Sequence, residues 1–197
     1  LTGSAGEGKT YVVNKYKCFL KKAGITQAVT ASTGIAGTHL GGMTIHSWSG
    51  IGIKDYLSEQ DLDILETKQS LYKRLTNTSV LIIDEISMLH AKQLDMVDQV
   101  LRMIRKVEIP FGGIQVIFSG DFFQLPPIVR GRDIILDDFV FMSKSWKKLD
   151  PVVCYLSEQF RQQEVDLTNI LNDIRSGFVS SDSYDMLTAR TGYSHTT

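Results

Sequence analysis

The stretch "LTGSAGEGKT", Leu1 to Thr10, decides how this chain is read. Gly3, Gly8, Lys9 and Thr10 fall at the spacing GxxxxGK[ST], a glycine-rich turn whose backbone N–H groups cradle phosphate oxygens. The match gains weight only if a helix follows, because a helix N-terminus adds free N–H groups and a partial positive charge to the anion site. Behind the turn, Val12, Tyr16, Phe19 and Ala23 recur at helical spacing, and Gly24 stands where such a helix would end. The turn therefore runs into a helix. Gly3, Ser4, Ala5, Gly6, Glu7, Gly8, Lys9 and Thr10 are the expected phosphate-binding set. Lys9 would bridge the outer phosphates of a nucleoside triphosphate and Thr10 would ligate magnesium. A carboxylate repels a polyphosphate, so the Glu7 side chain is expected to turn to solvent.

Outward from the turn, "QAVTAS" predicts a short buried strand. The Gly-rich "TGIAGTHLGGMTIHSWSGIGI" has few helix formers and predicts an exposed working loop. Residues 54–75 are charged and helical in character. "VLIIDE" is a compact apolar run closing in two carboxylates, as a buried parallel strand does. Leu94, Val97, Leu101 and Ile104 mark a further helix, "IQVIFSGD" and "PVVCYL" further strands, and Leu167, Leu171 and Ile174 a last helix. Strands alternating with helices predict an α/β fold, a parallel sheet covered on both faces, with ligands at the carboxyl ends of the strands. The tail "FVSSDSYDMLTARTGYSHTT" has little apolar periodicity and predicts no clear final element.

Composition sets limits on partners. The chain has 197 residues, 43% hydrophobic and 22% charged, with 21 Lys plus Arg against 22 Asp plus Glu. No overall positive charge attracts a polyanion, so any nucleic-acid contact must be local. No apolar run approaches the roughly 18–20 residues that cross a bilayer and no signal-peptide pattern is visible, which points to an intracellular protein with no membrane partner. Cys18 and Cys154 form no CxxC pair and read as reduced core residues rather than a disulfide or zinc site. The chain starts at Leu1, with the strand that feeds the turn cut short, as expected of an excerpt.

Asp84 and Glu85 follow four apolar residues, so they close a strand with side chains directed oppositely. Asp84 is assigned to the magnesium shell and Glu85 to polarising the attacking water, as hydrolysis requires. The blander reading is two carboxylates that merely end a strand. Gln124, in "SGDFFQLPPI", lies on a loop after a strand, where a neutral amide can bond the terminal phosphate or the water.

Taken in order, "GSAGEGKT", "ASTGIAGTHLGGMTIHSWSGIG", "LIIDEISM", "PFGGIQVIFSGDFFQLPP" and "LSEQFRQ" resemble the Pif-like (petite integration frequency) DNA helicases of superfamily 1B. The resemblance covers nearly the whole chain, and "PFGGIQ" leading into "GDFFQLPP" is its most specific part. It implies a P-loop NTPase with a RecA-like parallel sheet, an ATP- and Mg2+-dependent motor moving 5′ to 3′ on single-stranded DNA and acting at duplexes or forks. It also implies that Arg161 reaches the terminal phosphate. Without the family, Arg161 reads equally as a surface salt-bridge residue. Thr33, Thr44, His46, Ser47, Phe123 and Pro126 match the family's DNA-facing loops: hydroxyls bond phosphates and rings stack on bases. Taken alone, His46 or Trp48 reads more often as a packed core residue than as a ligand. The resemblance divides the chain into an ATPase domain over 1–177 and, over 178–197, the start of a connection to a second motor domain. Two readings from other classes stay open: a phosphate-loop kinase, and a nucleotide- or DNA-binding module without independent turnover.

Overall fold

The computed structural model describes residues 1–4, 6–129, 131, 133–156 and 165–191. Ala5 and Arg161 lie outside the described residues. By its internal contacts the chain divides into two compact units, Leu1–Glu158 and Gln159–Thr197.

The first unit is built on a parallel sheet. Its strands are β1 (Gln27–Ala31), β2 (Met43–Thr44), β3 (Val80–Asp84) and β4 (Gln115–Phe118), in the order β2-β1-β3-β4. Gln27 pairs with Val80 and Ala31 with Asp84; Val80 pairs with Gln115 and Ile83 with Phe118. Beyond β4, Thr2 bridges Gly120 on one side and Tyr155 on the other, both in parallel. The Leu1 amino group donates to Phe118 O at 2.9 Å, Thr2 N to Cys154 O at 2.9 Å and Leu156 N to Thr2 O at 2.8 Å. The short piece that roots the glycine turn is thus clasped in parallel between two neighbours. "PVVCYL" contributes this one bridge at Tyr155 rather than a full strand.

Helices cover both faces because β3 alternates between two cores. Leu81 and Ile83 pack with Leu94, Val97, Leu101 and Ile104, all on α6 (Ala91–Arg105). This larger core is completed by α3 (Ile45–Ser49), α4 (Glu59–Thr67), α5 (Gln69–Thr76) and α7 (Lys144–Leu149). Val80 and Ile82 face the other way, onto Val13 and Leu20 of α1 (Lys9–Lys22). The buried stripe of α1 is therefore Val13 and Leu20, with Tyr16 partly buried, rather than Val12, Phe19 and Ala23; Phe19 is 60% exposed. Gly24 does follow the helix in a left-handed conformation, as its position predicts.

The Gly-rich segment after β1 is not an open loop. It contains α2 (Gly34–His39), β2 and α3. Thr33 Oγ1 caps α2 by accepting Ala36 N–H, and Thr44 Oγ1 caps α3 by accepting Ser47 N–H. Side-chain caps satisfy the orphan donors of helices too short to form on propensity. Gly42 lets the chain close onto β1, since a Cβ there would sit 2.1 Å from Val29 O.

The "PFGG" signature is structural. Phe111, fully buried, adopts φ 54°, and its N–H donates to Asp98 Oδ1 at 2.6 Å. Arg105 Nε donates to Gly112 O at 2.8 Å, fastening the end of α6 to the start of β4. Cys18 and Cys154 are both free and exposed, not core residues as their sequence context suggested, since α1 buries the opposite stripe and Cys154 lies at the sheet margin.

The second unit carries α8 (Val165–Ser176) and α9 (Ser181–Ala189). α8 forms where Leu167, Leu171 and Ile174 predict it, although all three are exposed. α9 overturns the expectation of no final element: Ser180 Oγ accepts Ser183 N–H and starts a helix in a segment with weak apolar periodicity.

Candidate active site

Three segments end at one edge of the sheet: the glycine turn, β3 and β4. Gly6 and Gly8 take left-handed angles, φ 88° and 87°, that only glycine adopts freely, and α1 starts at Lys9. The first-turn N–H groups of α1 therefore point into the turn. Lys9 Nζ folds back on the turn, donating to Gly3 O at 2.7 Å and Ser4 O at 3.0 Å. Glu7 is buried, at 8% exposure, and its Oε2 accepts the Ser4 N–H. This corrects the expectation that Glu7 turns to solvent. Unsatisfied N–H groups in an anion-binding turn attract the nearest carboxylate, and Glu7 supplies it from within.

Beside the turn lies a cavity of about 660 Å³, lined by Thr10, Asp84, Glu85 and Gln124 together with Thr33 and residues of α2. The structure thus brings together residues separated by over a hundred positions, each predicted from its own motif. Asp84 is buried at the carboxyl end of β3. Glu85 turns the chain in a left-handed conformation, φ 51° and ψ 42°, rare for a non-glycine residue. Burial, then the charge of Asp84, push the Glu85 carboxyl above its ordinary value; Lys9 opposes and Asp121 adds to the rise. Lys9 is therefore within electrostatic reach of the acidic pair. A carboxyl with a raised pKa beside a phosphate-binding turn is suited to accept a proton from water.

Gln124 reaches the cavity rim, where its Nε2 donates to Asp121 Oδ2 at 3.0 Å. Asp121, 1% exposed, also accepts Phe123 N–H through Oδ1 at 3.1 Å. The sequence reading gave Asp121 no role; its signal is an acid just beyond β4, as Glu85 is just beyond β3. Thr33, among the residues matched to DNA-facing loops, lines the same cavity.

Of the other DNA candidates, those on α3 pack beside the start of α6 through His46 and Gln93. Thr44 and Ser47 sit at the first turn of α3, with Thr44 Oγ1 donating to Ser47 Oγ at 3.0 Å. His46 is half-buried; burial lowers its pKa, a hydrogen bond to Gln93 opposes this, and the neighbouring His90 adds to the lowering. His90 Nε2 in turn lies 2.8 Å from Ile128 O, on the segment that carries Phe123 and Pro126. His90 is a link that sequence reasoning missed, since a lone His before a helix carries no motif. Phe123 is 74% exposed and Pro126 is exposed, whereas Trp48 is a core residue at 3%.

A parallel α/β sheet with a glycine turn feeding a helix, and acids closing the adjacent strands, is the RecA-like architecture of phosphate-loop nucleotide hydrolases. A PIF1-like helicase family model matches residues 1–183, and the chain belongs to that family. It is 57% identical over 182 residues to an ATP-dependent DNA helicase Pif1 of Psychrobacter, covering 89% of this chain and 28% of that protein. It is 42% identical over 185 residues to the ATP-dependent DNA helicase RRM3 of Saccharomyces cerevisiae, covering 92% of this chain and 25% of the relative. Among solved structures, the Pif1 helicase of Candida albicans superposes with a TM-score of 0.83 at 36% identity, over 93% of this chain and 42% of that one. A Bacteroides Pif1 helicase in complex with ADP-AlF3 and single-stranded DNA superposes with a TM-score of 0.78 at 37% identity, over 99% of this chain and 47% of that one. The chain spans about a quarter of the length of these curated relatives.

Proposed function

We propose that this chain is the first motor domain of an ATP-dependent DNA helicase moving 5′ to 3′ on single-stranded DNA. The observation that carries the reading is the cavity shared by Thr10, Asp84, Glu85 and Gln124 beside the glycine turn. ATP fits this site: backbone N–H groups of residues 3–10 receive the phosphates once Glu7 withdraws, and Lys9 exchanges the carbonyls of Gly3 and Ser4 for phosphate oxygens. Magnesium takes one or two protein oxygens and completes its shell with phosphates and water. The Thr10 hydroxyl and the Asp84 carboxylate, both lining the cavity, would supply those oxygens. The ion would neutralise charge on the phosphates. Glu85 accepts a proton from the attacking water, and Gln124, released from Asp121, bonds that water or the terminal phosphate.

Arg161, outside the described residues, is proposed to reach the terminal phosphate. DNA is proposed to lie along Thr44, His46, Ser47, Phe123 and Pro126, with Thr33 between the two sites. Stepping requires a second motor domain that closes on ATP and opens after hydrolysis. The names of the relatives, and the Bacteroides complex with a nucleotide analogue and single-stranded DNA, support this reading. An activity on DNA is proposed to be exercised inside the cell. The test is ATP turnover of the full-length chain with and without single-stranded DNA. Stimulation of at least tenfold is expected, and Phe123→Ala should raise the DNA concentration for half-stimulation while leaving ATP affinity alone. Phosphate appearing on a small-molecule acceptor, or no response to DNA, overturns the proposal.

A further inference from the structure

Glu85 must hold its carboxyl toward the cavity from an unfavourable backbone conformation, so something must fix the peptide on either side of it. The carbonyl ahead, Asp84 O, accepts the N–H of Ser32 at 3.1 Å. The next, Glu85 O, accepts the hydroxyl of the same residue, Ser32 Oγ, at 2.8 Å, and also Met88 N–H at 3.1 Å. On the far side, Ile86 N–H donates to Ser119 O at 3.0 Å. The turn carrying Glu85 is therefore clamped between the residue that follows β1 and the residue that follows β4. Ser32 supplies two of these bonds, and its hydroxyl grips the very peptide whose rotation would swing the Glu85 side chain.

Ser32 also begins the path to the other predicted surface. The next residue, Thr33, caps α2 and lines the cavity. α2 passes through Gly42, packed on Val29 O, into β2 and then α3, where Thr44, His46 and Ser47 stand. Ser32 thus stands where a displacement of that segment would meet the Glu85 peptide, because close-packed interiors transmit strain.

We infer that Ser32 is a positioning residue for hydrolysis: its hydroxyl holds the Glu85 peptide in register and ties the orientation of the Glu85 carboxyl to the segment proposed to face DNA. The inference rests on the motor reading above. Its role is in the rate of the chemical step, not in nucleotide binding, because Ser32 donates to backbone behind the acid and not into the glycine turn. Removing the hydroxyl leaves Glu85 O still bonded to Met88 N–H, so no buried acceptor is orphaned and the fold survives.

The experiment compares wild type, Ser32→Ala and Ser32→Thr in the full-length chain, reading kcat and KM for ATP at saturating single-stranded DNA, the DNA concentration for half-stimulation, and the melting temperature. For Ser32→Ala, kcat should fall about tenfold, less than the hundredfold that a misplacement of 1 Å can cause. KM, half-stimulation and melting temperature should stay within twofold or a few degrees of wild type. Ser32→Thr, which keeps a hydroxyl, should recover most of the rate. An Ala variant with wild-type kcat overturns the inference, as does a fall in kcat matched by loss of nucleotide affinity or of thermal stability. If the wild type itself shows no DNA-stimulated turnover, the motor reading fails and this inference with it; a stimulated wild type with an equally active Ala variant refutes the Ser32 role alone.

Discussion

Replacing Glu85 by Gln should stop hydrolysis while making the chain more stable, and the two effects should respond differently to pH. Burial first, and then Asp84, hold the Glu85 carboxyl above the ordinary glutamate value near 4.5, with Lys9 opposing and Asp121 adding. The folded chain therefore keeps this proton more tightly than the unfolded chain. As pH rises past about 4.5 the unfolded chain ionises Glu85 first, so stability falls through the window that ends at the folded value, and the deficit is complete above it. Glutamine has the same shape and no charge, so the deficit vanishes. The variant should match wild type in acid and exceed it at neutral pH by about 0.5–1 kcal/mol, a modest figure because a half-exposed carboxylate is partly screened by water. For a chain of this size that is a rise of about 1–4 °C in melting temperature. Turnover should fall about 10²–10⁴-fold, the worth of a general base, or about 2.7–5.4 kcal/mol on the barrier. Nucleotide binding should persist. Melting curves across pH, run beside ATPase and nucleotide-binding assays, check all of this. A variant less stable than wild type at neutral pH, a stability gap that widens toward acid, or turnover within tenfold of wild type would refute the reasoning.

Lys9→Ala should abolish turnover and weaken ATP binding, because it removes the ammonium that now rests on Gly3 O and Ser4 O; unchanged affinity in a titration with labelled nucleotide would reject the assignment. Glu7→Gln should tighten ATP binding at least about fivefold, since one like-charge repulsion at contact distance is worth about 1 kcal/mol even when fully screened by water; equal or weaker binding would show that Glu7 does not compete with phosphate. Gly42→Ala should destabilise the first unit by at least about 2 kcal/mol, since its new methyl group would overlap Val29 O and force β2 off β1; chemical denaturation reads this directly, and a neutral result would mean that the segment is free to move away.

The sequence carried the parts of the fold where local pattern and global packing agree. β3 was visible as an unbroken apolar run because it is buried on both faces, and α6 because Leu94, Val97, Leu101 and Ile104 all meet the same core. The stripe of α1 was misplaced by one residue because Phe19 and Val12 are apolar yet exposed, and periodicity cannot tell which of two adjacent stripes is covered. α2 and α3 were missed because glycine-rich composition argues against helix, whereas their existence depends on the Thr33 and Thr44 caps and on packing against β1. At the site, Thr10, Asp84, Glu85 and Gln124 were each legible from a motif. The positions of Ser32, Asp121 and His90 were not, since their roles arise from bonds between strands distant in sequence. The inward turn of Glu7 was illegible for a related reason: charge alone predicts repulsion from phosphate, but not the attraction of the turn's own N–H groups for a neighbouring carboxylate.

The clasp at the margin of the sheet has a mechanical consequence. Thr2, two residues before the phosphate grip hardens into its turn, is bonded on its outer side to Cys154 and Leu156, just before the chain leaves the first unit. Tension along that exit is borne as shear by two hydrogen bonds on the root of the turn, and a Cβ on Gly3 would press Leu156 O at 3.1 Å. Within the first unit, a load placed on Leu156 would reach the root of the glycine turn before any other part of the sheet.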